Sequence, residues 1–131
     1  GTFDVLHSGH IAHFKQAKQY GKRLVVLVAR DETVKRVKGE KPYFNERQRC
    51  ALLRELKIVD TVALGDLKDP LRIIKRFKPE VICLGHDQEV FVDTLERYKN
   101  QLPFQVRVVK SNPVLRNIYH SKNIKQHYAM D

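Results

Sequence analysis

Four short apolar runs, separated by amphipathic stretches, constrain this chain more than any other feature. "LVVLVA" (24–29) is continuous and rich in β-branched residues, and "TVAL" (61–64), "VICL" (81–84) and "VRVV" (106–109) follow it. Runs of this kind suit strands buried on both faces, as in a parallel sheet. Helical patterns lie between them. Residues 10–20 place Ile11, Phe14 and Ala17 on one face. Residues 45–57 do the same with Cys50, Leu53 and Leu56, and Asn45 suits the N-cap. Residues 69–77 open on Asp-Pro, a cap and first-turn pair, and 88–100 and 121–128 complete the set. The alternation predicts an α/β fold, a parallel sheet with helices on both faces, which binds ligands at the carboxyl ends of its strands. "GTFD" reads as a loop leaving a strand, so a first strand is expected ahead of Gly1.

The 131 residues are read as one domain, 1–131, long enough to hide about two-thirds of its unfolded surface. No run of about 18 apolar residues is present to span a membrane. Cys50 and Cys83 stand alone within apolar runs and read as buried thiols in a reducing, cytoplasmic setting rather than as a disulfide framework. The net charge of +10 favours anionic partners. Lysines and arginines are nevertheless spread along the whole chain, the pattern of a solvated basic surface. A nucleic-acid-binding module would need a clustered basic patch and aromatic stacking platforms, and the sequence shows neither. "RIIKRFK" (72–78) reads as a helix with an apolar stripe and a charged outer face. Core packing is the expectation for Phe91 and Phe104.

The opening stretch, "GTFDVLHSGH", carries the chemistry. Gly1 and Thr2 suit a tight turn at a strand end, and Gly9 lets backbone approach a ligand closely. A helix starting near His10 would aim backbone N–H groups and the positive dipole end at that ligand. His7 and His10 would add N–H donors, so the stretch makes most sense as a polyphosphate cradle. Zinc held by His7, His10 and His13 is the rival reading, since positions three apart share a helix face. No cysteine or carboxylate cluster joins them locally, and "GTFD" has no part in that account.

These residues resemble the first signature of the cytidylyltransferase-like nucleotidyltransferase superfamily, H-x-G-H within G-T-F-D-x-x-H-x-G-H. The likeness runs on. "VARDETVKRVKGEKP" resembles the second strand and its lysine-bearing loop. "ERQRCALLRELKIVD" resembles the R-x-x-x-L-x-x-L-x-x-V-D helix, and "ICLGHDQ" the segment that holds the base. "SKNI" resembles the end of the last signature, I-S-S/T-T-K-I. "VARD" and "LGHDQ" look most like archaeal FAD synthases, which join the AMP of ATP to FMN. Glycerol-3-phosphate cytidylyltransferases, which use CTP, share the body plan.

The resemblance implies a Rossmann-like fold and an enzyme that moves a nucleoside monophosphate onto a phosphate-bearing acceptor, releasing pyrophosphate. It implies catalytic roles for His7, His10, Lys38 and Ser121. Gly1, Thr2, Phe3, Gly85, Asp87, Arg116 and Lys122 would join His7, His10 and Ser121 in holding the nucleotide. Asp4, Lys38 and Arg49 would serve the acceptor. A divalent ion, Mg²⁺ first, would bridge phosphates while keeping several waters. Relatives commonly form homodimers, which the sequence leaves open. The last signature departs from the pattern: in "RNIYHSKNI", Tyr119 and His120 stand where hydroxyl residues are usual, and Ser121 alone keeps one. A member that binds nucleotides without turnover is the reading that this departure suggests.

Overall fold

The computed structural model describes residues 1–69, 71–85 and 89–110. In chain order these form α1 (Ser8–Lys18), β1 (Val25–Val28), α2 (Asp31–Lys38), α3 (Glu46–Arg54), β2 (Thr61–Leu64), α4 (Arg72–Phe77), β3 (Val81–Leu84), α5 (Glu89–Tyr98) and β4 (Arg107–Lys110), with a 3₁₀ turn at Lys99–Gln101. The predicted helix at 121–128 lies outside the described residues.

The strands pair in parallel, as their apolar runs predict, in two separate couples: β1 with β2 and β3 with β4. In β1, Val26 and Val28 are buried and Val25 and Leu27 half-buried, so burial alternates where a run buried on both faces was expected. α3 packs on β1 and β2. Gly1 extends the first couple. Its N-terminal nitrogen donates to Leu27 O at 2.7 Å, and Ala29 N–H donates to Gly1 O at 2.9 Å. Val28 O, which points the other way, accepts from Gly65 N–H beyond β2. Groups alternate sides along a strand, so Gly1 takes a strand-like position on the edge of β1 away from β2.

Each couple has its own core. Phe14, Val26, Val28, Cys50 and Leu53 form the first, with Ile11, Leu56 and Phe3 packed against it. Leu71, Ile74, Leu84, Leu95 and Leu102 form the second, and Phe91 and Phe104 pack there as expected. Neither cysteine is in a disulfide, and burial pushes both the Cys50 and the Cys83 thiol up from the usual range.

Helix ends follow local chemistry. Asn45 caps α3 as predicted: Gln48 N–H donates to its Oδ1 at 2.9 Å, and Asn45 N–H donates to Gln48 Oε1 at 3.1 Å. This is a reciprocal capping box. α4 begins at Arg72 rather than at 69, with Leu71 at its N-cap; the Asp69 carboxylate instead accepts from Leu71 N–H at 3.0 Å within the preceding turn. α2 was not foreseen, because Val34 and Val37 are its only large apolar residues. It has Asp31 and Glu32 in its first turn and Lys35, Arg36 and Lys38 in its last, the order that the helix dipole favours. Gly39, at φ 85°, ends it in the left-handed region that glycine enters freely.

Two charged groups tie elements together. The Asp60 carboxylate binds the Lys18 ammonium at the end of α1 and the Leu24 N–H ahead of β1. Arg49 of α3 lies in the interior. Its Nε donates to Phe44 O at 3.0 Å, and its two terminal nitrogens reach Thr2 O at 2.8 Å and Asp31 Oδ1 at 2.7 Å. Its side chain is 0% exposed, which is tolerable because the fork geometry engages every nitrogen.

Both ties are testable. Hydrogen bonds from Lys18 and Leu24 hold the Asp60 carboxyl below the usual carboxylate range. Its stabilising effect is therefore complete above that range and is lost as pH falls through it. Asp60→Asn should lower the Tm at neutral pH, with the difference from the parent closing in acid; an equal difference at every pH would exclude the charge as the cause. Arg49→Met fills the same space without donors and should cost on the order of 3 kcal/mol in urea unfolding. Arg49→Lys should recover little, since one ammonium cannot span the three acceptors.

Candidate active site

The opening motif folds as a loop running into α1, and its residues take distinct positions. Phe3 has φ 53°, a left-handed backbone unusual for a side chain of this size. It is pinned on both sides. Arg49 holds the Thr2 carbonyl, and the Asp4 carboxylate accepts from Tyr43 N–H at 2.6 Å and Phe44 N–H at 2.8 Å. So fixed, the Phe3 ring lies 5.5 Å from the His10 ring, edge to face, and 5.4 Å from Phe14.

His7 is the N-cap of α1, so the helix starts at Ser8, two residues ahead of the start expected near His10. Its Nδ1 accepts from Gly9 N–H at 3.1 Å, and its own N–H donates to His10 Nδ1 at 3.2 Å. The two imidazoles lie with centroids 4.0 Å apart and planes 38° from parallel. Both are half-buried. The expectation that the first amides of α1 face a ligand thus needs correction, because the Gly9 N–H is taken by the His7 ring. What the helix mouth presents is the imidazole pair, set at its positive end. His13, a turn further on, lies against Phe14 at 6.0 Å. Among the described residues no group of three or more His, Cys, Asp or Glu is placed to hold a metal ion, so the zinc reading gains nothing.

The structure gives Asp4 and Arg49 a structural task besides the acceptor contact expected of them. Asp4 is 6% exposed and Arg49 2%, and their contacts clamp the motif loop to residues 43–44 and to α2. They position the loop. Asp31, missed from sequence, completes the Arg49 fork. Glu46 was missed as well: its carboxylate takes Arg30 at 2.8 Å and the Asp31 N–H at 3.1 Å, closing the start of α2 from outside. Lys38 is not in a loop but is the last residue of α2, and it is exposed. Gly85 follows directly on β3, at a strand's carboxyl end. Asp87, Arg116, Ser121 and Lys122 lie outside the described residues. An open recess of about 450 Å³, walled mainly by carbon, borders the motif loop through Phe3 and Asp4 and runs along α3 by Phe44 and Leu52. Neither His7 nor His10 lines it.

The signal for the reciprocal histidine cap is present in the sequence. H-x-x-H at 7–10 repeats the spacing of N-x-x-Q at 45–48, and imidazole nitrogens accept as carboxamide oxygens do.

Comparison with known proteins identifies the family. The cytidylyltransferase-like family model matches residues 1–127. An FAD synthase from Thermoplasma volcanium is 43% identical over 110 residues, covering 84% of this chain and 77% of that protein. An FAD synthase from Pyrococcus abyssi is 41% identical over 111 residues, 84% of this chain and 75% of that one. Among solved structures, a lipopolysaccharide core biosynthesis protein from Thermoplasma volcanium superposes with a TM-score of 0.77 at 42% identity, covering 86% of this chain and 91% of that one. No helix among the described residues is long and apolar enough to cross a membrane. With a parallel α/β fold, an imidazole pair at the mouth of its first helix and a family match over nearly its whole length, the chain belongs to the cytidylyltransferase-like family of nucleotidyltransferases.

Proposed function

We propose that this chain is an FAD synthase, moving AMP from ATP to FMN with release of pyrophosphate. The observation that carries the reading is its identity of 40–43% with FAD synthases over 84% of its length. An oxygen of the FMN phosphate attacks the α-phosphorus of ATP, a new P–O bond forms, and the bond to the β-phosphate breaks. The chain's own part is positioning and charge stabilisation. His7 and His10 donate to the triphosphate where charge grows, and Gly1, Thr2 and Phe3 line the same turn. Gly85 and Asp87 hold base and ribose. Arg116, Ser121 and Lys122 take phosphate oxygens, with Ser121 acting beside the histidines. Lys38 meets the acceptor phosphate, while Asp4 and Arg49 hold the loop in register.

On this reading a divalent ion accompanying the nucleotide would supply charge neutralisation for the pyrophosphate that leaves. The free cysteines, Cys50 and Cys83, are in keeping with a cytoplasmic enzyme.

The test pairs ATP or CTP with FMN or glycerol 3-phosphate, in the presence of Mg²⁺, and measures pyrophosphate and FAD. Release with ATP and FMN, with one FAD per pyrophosphate, is expected. Release only with CTP and glycerol 3-phosphate would replace this reading by cytidylyl transfer, and none with any pair would refute nucleotidyl transfer. Lys38→Ala should leave the Tm unchanged and raise the KM for FMN or ATP several-fold; unchanged constants would return Lys38 to the solvated lysines.

A further inference from the structure

A backbone N–H only donates. An imidazole nitrogen that receives one must present a lone pair and so carries no proton. Gly9 N–H donates to His7 Nδ1 at 3.1 Å, and His7 N–H donates to His10 Nδ1 at 3.2 Å. In each ring the proton then belongs on Nε2. We infer that the cap of α1 locks His7 and His10 as neutral Nε2–H tautomers, so the site meets its anionic ligand with two neutral hydrogen-bond donors rather than two imidazolium charges.

Two further observations support this. The ring centroids are 4.0 Å apart, where two imidazolium ions would repel each other. The same chain also shows what a cap alone requires. α3 carries the same reciprocal box built from Asn45 and Gln48, at 2.9 and 3.1 Å. Carboxamides therefore suffice for capping. An imidazole adds a second nitrogen across the ring, and the cap bond at Nδ1 fixes that nitrogen as a donor. The histidines do the work of Asn and Gln at a helix start while directing N–H groups elsewhere.

Protonation undoes both roles at once. A second proton on either ring would occupy Nδ1 and remove the acceptor that caps the helix. Beside the pair, the uncharged Phe3 ring lies 5.5 Å from His10, and His13 lies against Phe14. In the motif loop Asp4 accepts from the amides of Tyr43 and Phe44, and at the start of α2 Asp31 pairs with Arg49.

The direct test is long-range ¹H–¹⁵N correlation NMR of the histidine-labelled full chain at neutral pH without ligand. Unprotonated Nδ1 and protonated Nε2 resonances are expected for His7 and His10. An Nδ1–H tautomer, or the paired shifts of an imidazolium, would overturn the inference. The second test is the double variant His7→Asn with His10→Gln, which rebuilds the α3 box at α1. Its Tm should stay close to the parent's while kcat falls by about 100-fold or more, the usual loss when a donor to developing charge is removed. A retained kcat, or a Tm far below the parent's, would count against the shared cap-and-donor role. On the acid side kcat/KM should fall as the rings take up a second proton; a rise there would point to imidazolium. The kinetic arms rest on the proposed nucleotidyl transfer. The NMR result does not, so an FMN-free outcome in the substrate test leaves the tautomer to be decided on its own.

Discussion

One buried guanidinium organises the amino-terminal half of this protein. Arg49 joins three segments distant in sequence: the motif loop at Thr2, the approach to α3 at Phe44 and the start of α2 at Asp31. Burying that charge is costly unless every nitrogen is engaged, and here each is. Asp4 works in the opposite sense, an anion accepting from the amides of residues 43 and 44. Loop and helix approach are thus held by two clasps of opposite charge. Phe3 sits between the clasps and is kept at φ 53°, a conformation that persists only where its surroundings over-determine it. Its ring supports His10 in turn. The dependence runs from Arg49 to the loop, from the loop to Phe3, and from Phe3 to the imidazole.

The same economy governs the helix starts. α1 and α3 close their first turns with side chains three residues apart. The first turn of α2 has no cap from its own side chain and is closed from α3 by Glu46, which also holds Arg30. Arg30 in turn donates to Gly65 O at the end of β2. The carboxyl ends of β1 and β2 and the starts of α2 and α3 are therefore one connected polar layer. Such a layer is stable only if nearly every member is satisfied, and among the described residues no buried side-chain nitrogen or oxygen lacks a partner.

Much of the fold was legible because strands of this kind announce themselves. β2 and β3 fall on the predicted residues, and β1 and β4 differ by a residue at their ends. The apolar faces read from residues 10–20 and 45–57 both entered the first core. α2 escaped because it has almost no apolar stripe; its evidence is the order of its charges and the glycine that stops it. The motif histidines were identified, but their bonds to each other's backbone were not, since capping boxes are usually sought in hydroxyl, carboxyl and carboxamide residues. The long-range hydrogen bonds of Asp4 and Arg49 are not legible in the same way. The partners of Asp4 lie 39 and 40 residues away and Thr2 lies 47 from Arg49, and no local pattern reports so distant a pairing.

The two clasps have a common property. Arg49 binds the carbonyls of Thr2 and Phe44, and Asp4 binds the amides of Tyr43 and Phe44. Apart from the Arg49–Asp31 pair, these bonds all engage main chain. These hydrogen bonds at positions 2, 43 and 44 therefore do not depend on which side chain stands there. Proline at 43 or 44 is the exception, because it would erase the hydrogen that Asp4 grips.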